Sequence, residues 1–367
     1  MTESTTKKVK EPLFHITKRA SMPFWKAAGI RVLSVLAAVI ICSVMSTILI
    51  GRNPFAIFGS FVKGIFIDPW TLLQDTALLL AFGLAIVPAF RMKYWNMGAN
   101  GQVLMGCLAA IYCMINVPDE VPGGVVIIIM LLAAIAVSVI WAAIPAIFKA
   151  LFNTNETLFT LMMNYIATQL AAYYIIVWEV PKGAGKIGII NQNTNAGWLP
   201  QIAGKQYLLT ILVVAVMTVL TYIYLKYSKH GYEIAVVGES QRTASYAGIK
   251  VERVIIRTMV LSGAMCGLMG LLLTAGTDHT LTTTIVGGRG FTAVMVSWMA
   301  KFNPIMMIFT SLLLVVLSRG ASEISSVFGL NHSFADILTG IILFFIIGSE
   351  FFINYKVSLR KAGKKEA

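Results

Sequence analysis

The sequence predicts an all-α, polytopic membrane protein of about ten transmembrane helices, built as two pseudo-symmetric halves with interrupted helices. Three observations lead there. Hydrophobic residues make up 57% of the 367-residue chain and charged residues only 12%, with a mean hydropathy of +0.80. Apolar runs of about twenty residues, the length needed to cross a bilayer core, recur along the whole chain. These runs are continuous rather than alternating, which argues against a β-barrel. A single membrane domain over residues 1–367 is therefore expected. The net charge of +13 collects in tails and loops, so it reports orientation in the membrane and not a nucleic-acid partner. Cys42, Cys107, Cys113 and Cys266 lie within apolar runs without CxxC spacing, as packing residues do.

The first span is expected at residues 32–50, behind a tail (1–31) carrying Lys7, Lys8, Lys10, Lys18, Arg19, Lys26 and Arg31. Such a basic tail belongs in the cytoplasm. The run is long enough to span and lacks a small-x-small cleavage site, so it does not read as a signal peptide. Residues 52–70 form an outer loop with an amphipathic pattern. The second span, 71–90, is unusual, with Gln74 and Asp75 near its outer end and Pro88 near its inner end. A glycine- and amide-rich segment follows and leads straight into the third run, 103–117. This segment is either a simple inner turn or a broken helix, since irregular backbone at membrane depth is tolerated only where protein or water surrounds it.

Further spans are expected at 124–147, 157–177 and 207–225. The outer loop 181–206 carries Lys182, Lys186 and Lys205 against the charge rule. The run 255–275 contains Gly263, Gly267 and Gly270, spaced to let another helix approach closely. Gly287-Gly288-Arg289-Gly290 opens a shorter run to residue 300, and 305–317 and 334–352 complete the set. The tail 356–367 is basic, which puts both termini in the cytoplasm. Each half thus has one polar, glycine-rich break opening an apolar run, at 96–102 and at 287–290. Interrupted helices at matching places mark the binding region of many transporters.

One hydrophilic stretch, 227–255, stands out between the apolar blocks. Ser240 is suited to N-cap a helix, and Gly248 to end it in the left-handed region. The residues between make about two turns, too few to be stable alone, so this helix needs something to dock on. The plainer reading is an ordinary inner loop with a helical turn.

Soluble-enzyme motifs fail on inspection. Gly183-Ala184-Gly185-Lys186 lacks the Ser or Thr of a phosphate loop, having Ile187, and Gly288-Arg289-Gly290-Phe291 follows no strand. His15, His230, His279 and His332 are scattered and form no ligand cluster or triad. Neither a catalytic centre, a metal site, a cofactor nor an ATPase site of the chain's own is expected. Polar residues inside a membrane are costly and mark function or an interhelical bond. Those singled out are Asp75, Asn96, Asn100, Gln102, Asn164 and Arg289. The amide cluster suits a hydroxylated neutral solute better than an ion, which would call for more buried carboxylates.

Several linked motifs carry a resemblance. Trp95-Asn96-Met97-Gly98-Ala99-Asn100-Gly101-Gln102 resembles the NIGAEGQ signature of ABC-importer permeases for simple sugars and nucleosides, a branched-chain amino acid-type permease family. Asn155-Glu156-Thr157 through Asn164-Tyr165, residues 231–249, and Gly288-Arg289-Gly290-Phe291 with Asn303-Pro304 are similar to three further elements of that family, collinear over residues 71–352. With the polar residues singled out above, the motif segments make the expected substrate pathway Asp75, Trp95, Asn96, Gly98, Asn100, Gln102, Asn164, Arg289 and Phe291. The resemblance implies a coupling helix, with Glu239, Ser240, Arg242, Ala244, Tyr246 and Gly248 meeting a cytoplasmic ATP-binding subunit. A second permease subunit, identical or different, an extracellular solute-binding lipoprotein and a bacterial plasma-membrane lipid setting are also implied. Asn100 stands where the family usually has an acid, and Ser240 where it usually has Asn. The rival reading is a single-chain secondary transporter driven by an ion gradient.

Overall fold

The computed structural model describes residues 14–19, 22–51, 53–118, 120–202, 204–205 and 207–359. The tail lysines before residue 14 and after 359, on which much of the charge reading rests, lie outside the described residues. The described chain groups into two compact units, one drawn from 1–67 and 316–367, the other from 68–315.

The second unit carries the polar breaks. Its helices are α3 (Pro69–Arg91), α4 (Ala99–Asn116), α5 (Gly123–Phe152), α6 (Glu156–Trp178), α7 (Leu208–Tyr227), α8 (Lys229–Glu239), α9 (Gln241–Tyr246), α10 (Val251–Leu273), α11 (Arg289–Met299) and the first part of α12 (Pro304–Val327). Every residue of α3 from Thr76 to Phe90 is buried, because α7, α10 and α11 all pack on it. A helix apolar on all sides belongs in the centre of a bundle, and α3 is that helix here.

The glycines of α10 do what their spacing predicts. A Cβ on Gly267 would sit 2.6 Å from the Ala134 carbonyl oxygen of α5, and one on Gly270 would sit 2.7 Å from the Cys107 backbone nitrogen of α4. Only glycine lets three backbones come this close, which replaces the missing hydrophobic drive between helices in lipid with tight packing. Beyond Leu273 the helix widens into a π-helical turn, Thr274–Asp278.

The first unit contains α1 (Phe24–Ile50), α2 (Pro54–Phe66), the rest of α12 and α13 (His332–Asn354), with strands β1 (Phe14–Lys18) and β2 (Tyr355–Leu359). In this unit α1 packs on α13, and Arg31 meets Glu350 at 2.6 Å. A Cβ on Gly320 of α12 would strike the Phe61 ring of α2.

Four expectations need correction. Nine described helices are long and apolar enough to cross a membrane, in keeping with about ten, but one expected span is not among them. The missing one is residues 289–300: α11 has 11 residues, about 16 Å of helix and only half a bilayer core. Residues 52–70 are not a plain loop, since Asn53 caps Phe55 N–H and starts α2. The inner stretch 227–255 holds two helices, α8 and α9, and α10 already begins at Val251. Finally, parts of both basic tails pair as antiparallel strands, with Phe14 opposite Leu359 and Lys18 opposite Tyr355.

Candidate functional site

The break between α3 and α4 is held from within. Asn96 Nδ2 donates to Gln102 Oε1 at 3.3 Å, and Gln102 Nε2 donates back to Asn96 Oδ1 at 3.2 Å. Asn96 also donates to Ser262 Oγ at 3.4 Å and accepts from Gly98 N–H at 3.1 Å. Both side chains are fully buried. The Gln102 carbonyl accepts from Ser138 Oγ at 2.7 Å. Ser138 lies midway along α5 and Ser262 midway along α10, so the break sits at the mid-height of those two helices.

From the other side, α6 presents Thr160 and Asn164, four residues apart on one face. Thr160 Oγ1 accepts from Met97 N–H at 3.1 Å; Asn164 accepts from Gly101 N–H and donates to the Met97 carbonyl, both at 2.7 Å. These bonds satisfy backbone groups that helix termini leave open. The fit is close at both glycines: a Cβ on Gly101 would sit 2.8 Å from Asn164 Oδ1, and one on Gly98 would sit 3.1 Å from Thr160 Cβ.

The two polar breaks meet each other. Asn100 Oδ1, on the first turn of α4, accepts the Gly290 N–H of the first turn of α11 at 2.9 Å. Trp95 stands edge-on to Trp298 of α11 at 5.4 Å and to Phe90 at 5.5 Å. It keeps 37% of its surface exposed, and Phe291 keeps 48%.

At the inner stretch the expected caps are present. Ser240 has φ −157° and its hydroxyl accepts Thr243 N–H at 3.2 Å. At the other end Ile249 N–H bonds the Ala244 carbonyl and Gly248 N–H bonds the Ser245 carbonyl, with Gly248 at φ +78°. That is a Schellman closure with glycine at C′. Ala244 is fully buried while Tyr246 is 93% exposed; Glu239 and Arg242 are exposed too. α9 thus rests on its own chain through one small residue and presents the remainder outward.

Residues 66–347 match the family described as the branched-chain amino acid transport system / permease component. The chain belongs to this family. It is similar to the glucose ABC transporter permease protein TsgB13 of Haloferax volcanii, 28% identical over 93% of this chain and 92% of the relative. It is also similar to the guanosine ABC transporter permease protein NupP of Bacillus subtilis, 31% identical over 76% of this chain and 80% of the relative. The nucleoside ABC transporter permease protein NupB of Lactococcus lactis is 26% identical over 80% and 82%. No solved structure matches.

In this permease a second polar group lies at the far end of α3. Gln74 Nε2 donates to Thr277 Oγ1 of the π-helical turn at 2.7 Å. Asp278, the last residue of that turn, is in electrostatic reach of both Asp75 and Arg289. Arg289 and Gly290 are adjacent, so the start of α11 relates to both polar groups: Arg289 through its charge on Asp278, Gly290 through its bond to the Asn100 amide. The loop between α6 and α7 closes over this end. Trp198 stacks on His279 at 3.7 Å, Ile190 N–H donates to the His279 carbonyl at 2.9 Å, and Leu199 N–H donates to the Ala275 carbonyl at 2.8 Å. Burial holds the His279 imidazole below its ordinary pKa.

The lysines that break the charge rule have local partners. Lys182 Nζ donates to the Val177 carbonyl at 2.7 Å, at the C-terminal end of α6 where a cation is favourable, and Lys205 lies over the Trp70 ring at 4.9 Å.

Sequence reasoning missed Thr160, Ser138, Ser262, Gln74, Thr277 and Asp278 as parts of these networks. For Thr160 a signal was present, its four-residue spacing from Asn164. For Ser138 and Ser262 nothing local marked the partner.

Proposed function

We propose that the chain is the membrane-spanning permease subunit of an ATP-driven ABC importer for a small hydroxylated solute, a nucleoside or a simple sugar. Its relatives' names support the solute class, and the polar residues set around the start of α11, Asp278 through charge and Asn100 through its bond to Gly290, support a path for it. In that path Asn96, Gln102 and Asn164, whose bonds go to the protein, hold the wall, with Gly98 letting the wall close up. Trp95 and Phe291 offer exposed aromatic faces on which a base or a sugar ring stacks. Asn100, Asp75 and Arg289 supply the donors and acceptors that fix its hydroxyls.

Residues 1–367 then act as one permease domain in the cell membrane, with both termini on the cytoplasmic side. The subunit has no ATPase site of its own and works with a cytoplasmic ATP-binding subunit, a second permease subunit and an extracellular solute-binding lipoprotein. The observation that carries the coupling role is α9, closed at both ends yet exposing Tyr246. A secondary transporter needs no such docking helix.

Two measurements test this. Uptake should require a co-expressed ATPase and cease when that ATPase cannot hydrolyse ATP; uptake by this chain alone, abolished by an ionophore, would establish the secondary transporter instead. A Tyr246→Cys variant should crosslink to the ATPase and be shielded from thiol reagents only in its presence. Equal labelling with and without the ATPase would sink the coupling assignment.

A further inference from the structure

At the end of the second unit that carries α8 and α9, the helix ends enclose a concave site of about 380 Å³. Arg91, Lys226 and Lys301 line it together with Tyr222 and Asn303, and no carboxylate does. Among the described residues none of the three cations is in a salt bridge. Arg91 donates to the Leu225 carbonyl at 3.3 Å through one Nη, and Lys226 donates to Tyr222 Oη at 2.8 Å, which leaves each with further N–H donors.

The plain explanation is that these cations answer helix dipoles, since Arg91, Lys226 and Lys301 stand at the C-terminal ends of α3, α7 and α11. The magnitudes say otherwise. Each C-terminus is worth roughly half a negative charge and the N-terminus of α12, at Asn303 and Pro304, roughly half a positive one, which leaves a surplus of about two positive charges. Lys301 and Phe302 also hold φ of +50° and +58°, both left-handed and neither glycine. Backbone of this kind persists where surroundings fix it, here through Lys301 N–H to the Trp298 carbonyl and Phe302 N–H to the Ser297 carbonyl, both at 2.9 Å. The ammonium of Lys301 therefore leaves a constrained turn.

Apolar surface begins immediately beside this basic site. On α7, Val219 and Val216 are exposed about one and two turns back from Tyr222, and on α12, Ile305 and Phe309 are exposed in the first turns after Pro304. Both flanks lead away from the cations along membrane-spanning helices. A basic pocket with room for more than a phosphate, continuous with exposed apolar flanks, fits one class of ligand: a phosphodiester headgroup carrying acyl chains. We infer that Arg91, Lys226 and Lys301 form a headgroup site for an anionic phospholipid, whose chains lie along α7 and α12. Basic pockets between spans at the cytoplasmic face recognise such headgroups through the same charges. This site is separate from the proposed solute path and does not depend on it.

The test uses the full-length chain in detergent and fluorescent phosphatidylglycerol or phosphatidylcholine of equal chain length. Wild type should bind phosphatidylglycerol in clear preference. Each cation near an anionic headgroup is worth about five-fold in affinity, so Lys226→Gln with Lys301→Asn should lower phosphatidylglycerol affinity roughly thirty-fold and leave phosphatidylcholine unchanged. Asparagine is chosen because it tolerates the left-handed backbone. Lys226→Arg should retain the preference, and the single, exposed Lys226→Gln, about five-fold weaker, serves if the double variant does not fold. Unchanged preference in the charge-removing variants would overturn the site. Equal binding of the two lipids by wild type, with inorganic phosphate bound and lost on Lys226→Gln, would assign it to a free anion and overturn the lipid.

Discussion

Asn100 Oδ1 accepts the Gly290 backbone N–H at 2.9 Å, so a side chain from the first polar break caps the helix that opens from the second. The breaks that the sequence shows nearly two hundred residues apart are one place in the fold. Removing the acceptor with Asn100→Ala should destabilise the permease by about 0.5–2 kcal/mol, as other lost N-caps do. Asn100→Asp keeps the acceptor and adds negative charge at the positive end of α11 beside Arg289, a gain of roughly 0.3–1 kcal/mol. Thermal unfolding of the purified permease should rank Asp at or above Asn, and Ala below both. An Asp variant less stable than wild type would show that burial of the charge outweighs the dipole.

The Asn96–Gln102 amide pair sets up a different expectation. Gln102→Leu leaves the Asn96 amide buried and short of a partner, at a cost of about 1–3 kcal/mol. Asn96→Leu does the same to Gln102 and also frees the Gly98 N–H. Replacing both should cost less than the two single changes added together, with a coupling on the order of 0.5–3 kcal/mol. Denaturation midpoints of the three variants measure this directly. Strict additivity would mean that the two amides act independently and that each contacts something else, such as the solute.

What was legible in the sequence follows from the range of the interactions involved. The Ser240 cap and the Gly248 closure are local, and both stand where the residue types put them. The α10 glycines announced a close approach, though not that α5 and α4 are the helices approached. The run 289–300 misled because it is apolar: only eleven of its residues are helix, and the chain turns back just after it through the left-handed Lys301 and Phe302. The partners Ser138, Ser262 and Thr277 were invisible, since a single hydroxyl in an apolar helix is as often bonded to its own turn, as Thr218 is to Val214. In the tails, residues 14–17 and 355–359 alternate apolar and polar, a strand signal hidden by the surrounding lysines. Lys182 and Lys205 bond to a helix-end carbonyl and an aromatic ring, partners that a count of charges along the sequence does not see.

The loop between α6 and α7 offers a pH test. Glu179 accepts N–H bonds from Gly183 at 2.7 Å and Gly185 at 2.6 Å, and these hold its carboxyl below the ordinary value of 4.5. A depressed carboxylate pKa contributes stability that is complete above 4.5 and is lost as pH falls through the lower, folded value. Amide exchange at Gly183 and Gly185, corrected for intrinsic rates, should therefore stay protected at neutral pH and lose protection only as pH falls below 4.5. Glu179→Gln should weaken that protection at neutral pH and abolish its acid dependence. Protection that is equal in the two proteins across the range would show the loop to be held by Lys182 and the helix end instead.

The last test returns to α9. Its six residues are fixed by two devices, the Ser240 hydroxyl at one end and Gly248 at φ +78° at the other. No atom stands within 4 Å of a Cβ added at Gly248, so Gly248→Val creates no clash with neighbours and acts through the backbone alone. A β-branched residue at positive φ costs on the order of 1–3 kcal/mol. That is small against a whole bundle of membrane helices but comparable to the stability of one docked helical turn. The variant should insert at normal abundance and bind its partner permease normally, yet show uptake reduced by an order of magnitude or more with ATP hydrolysis no longer linked to it. Gly248→Asn, which tolerates the left-handed region, should restore most of the uptake. If Val and Asn impair uptake equally, the glycine is needed for its missing side chain at a docking surface and not for its backbone angle.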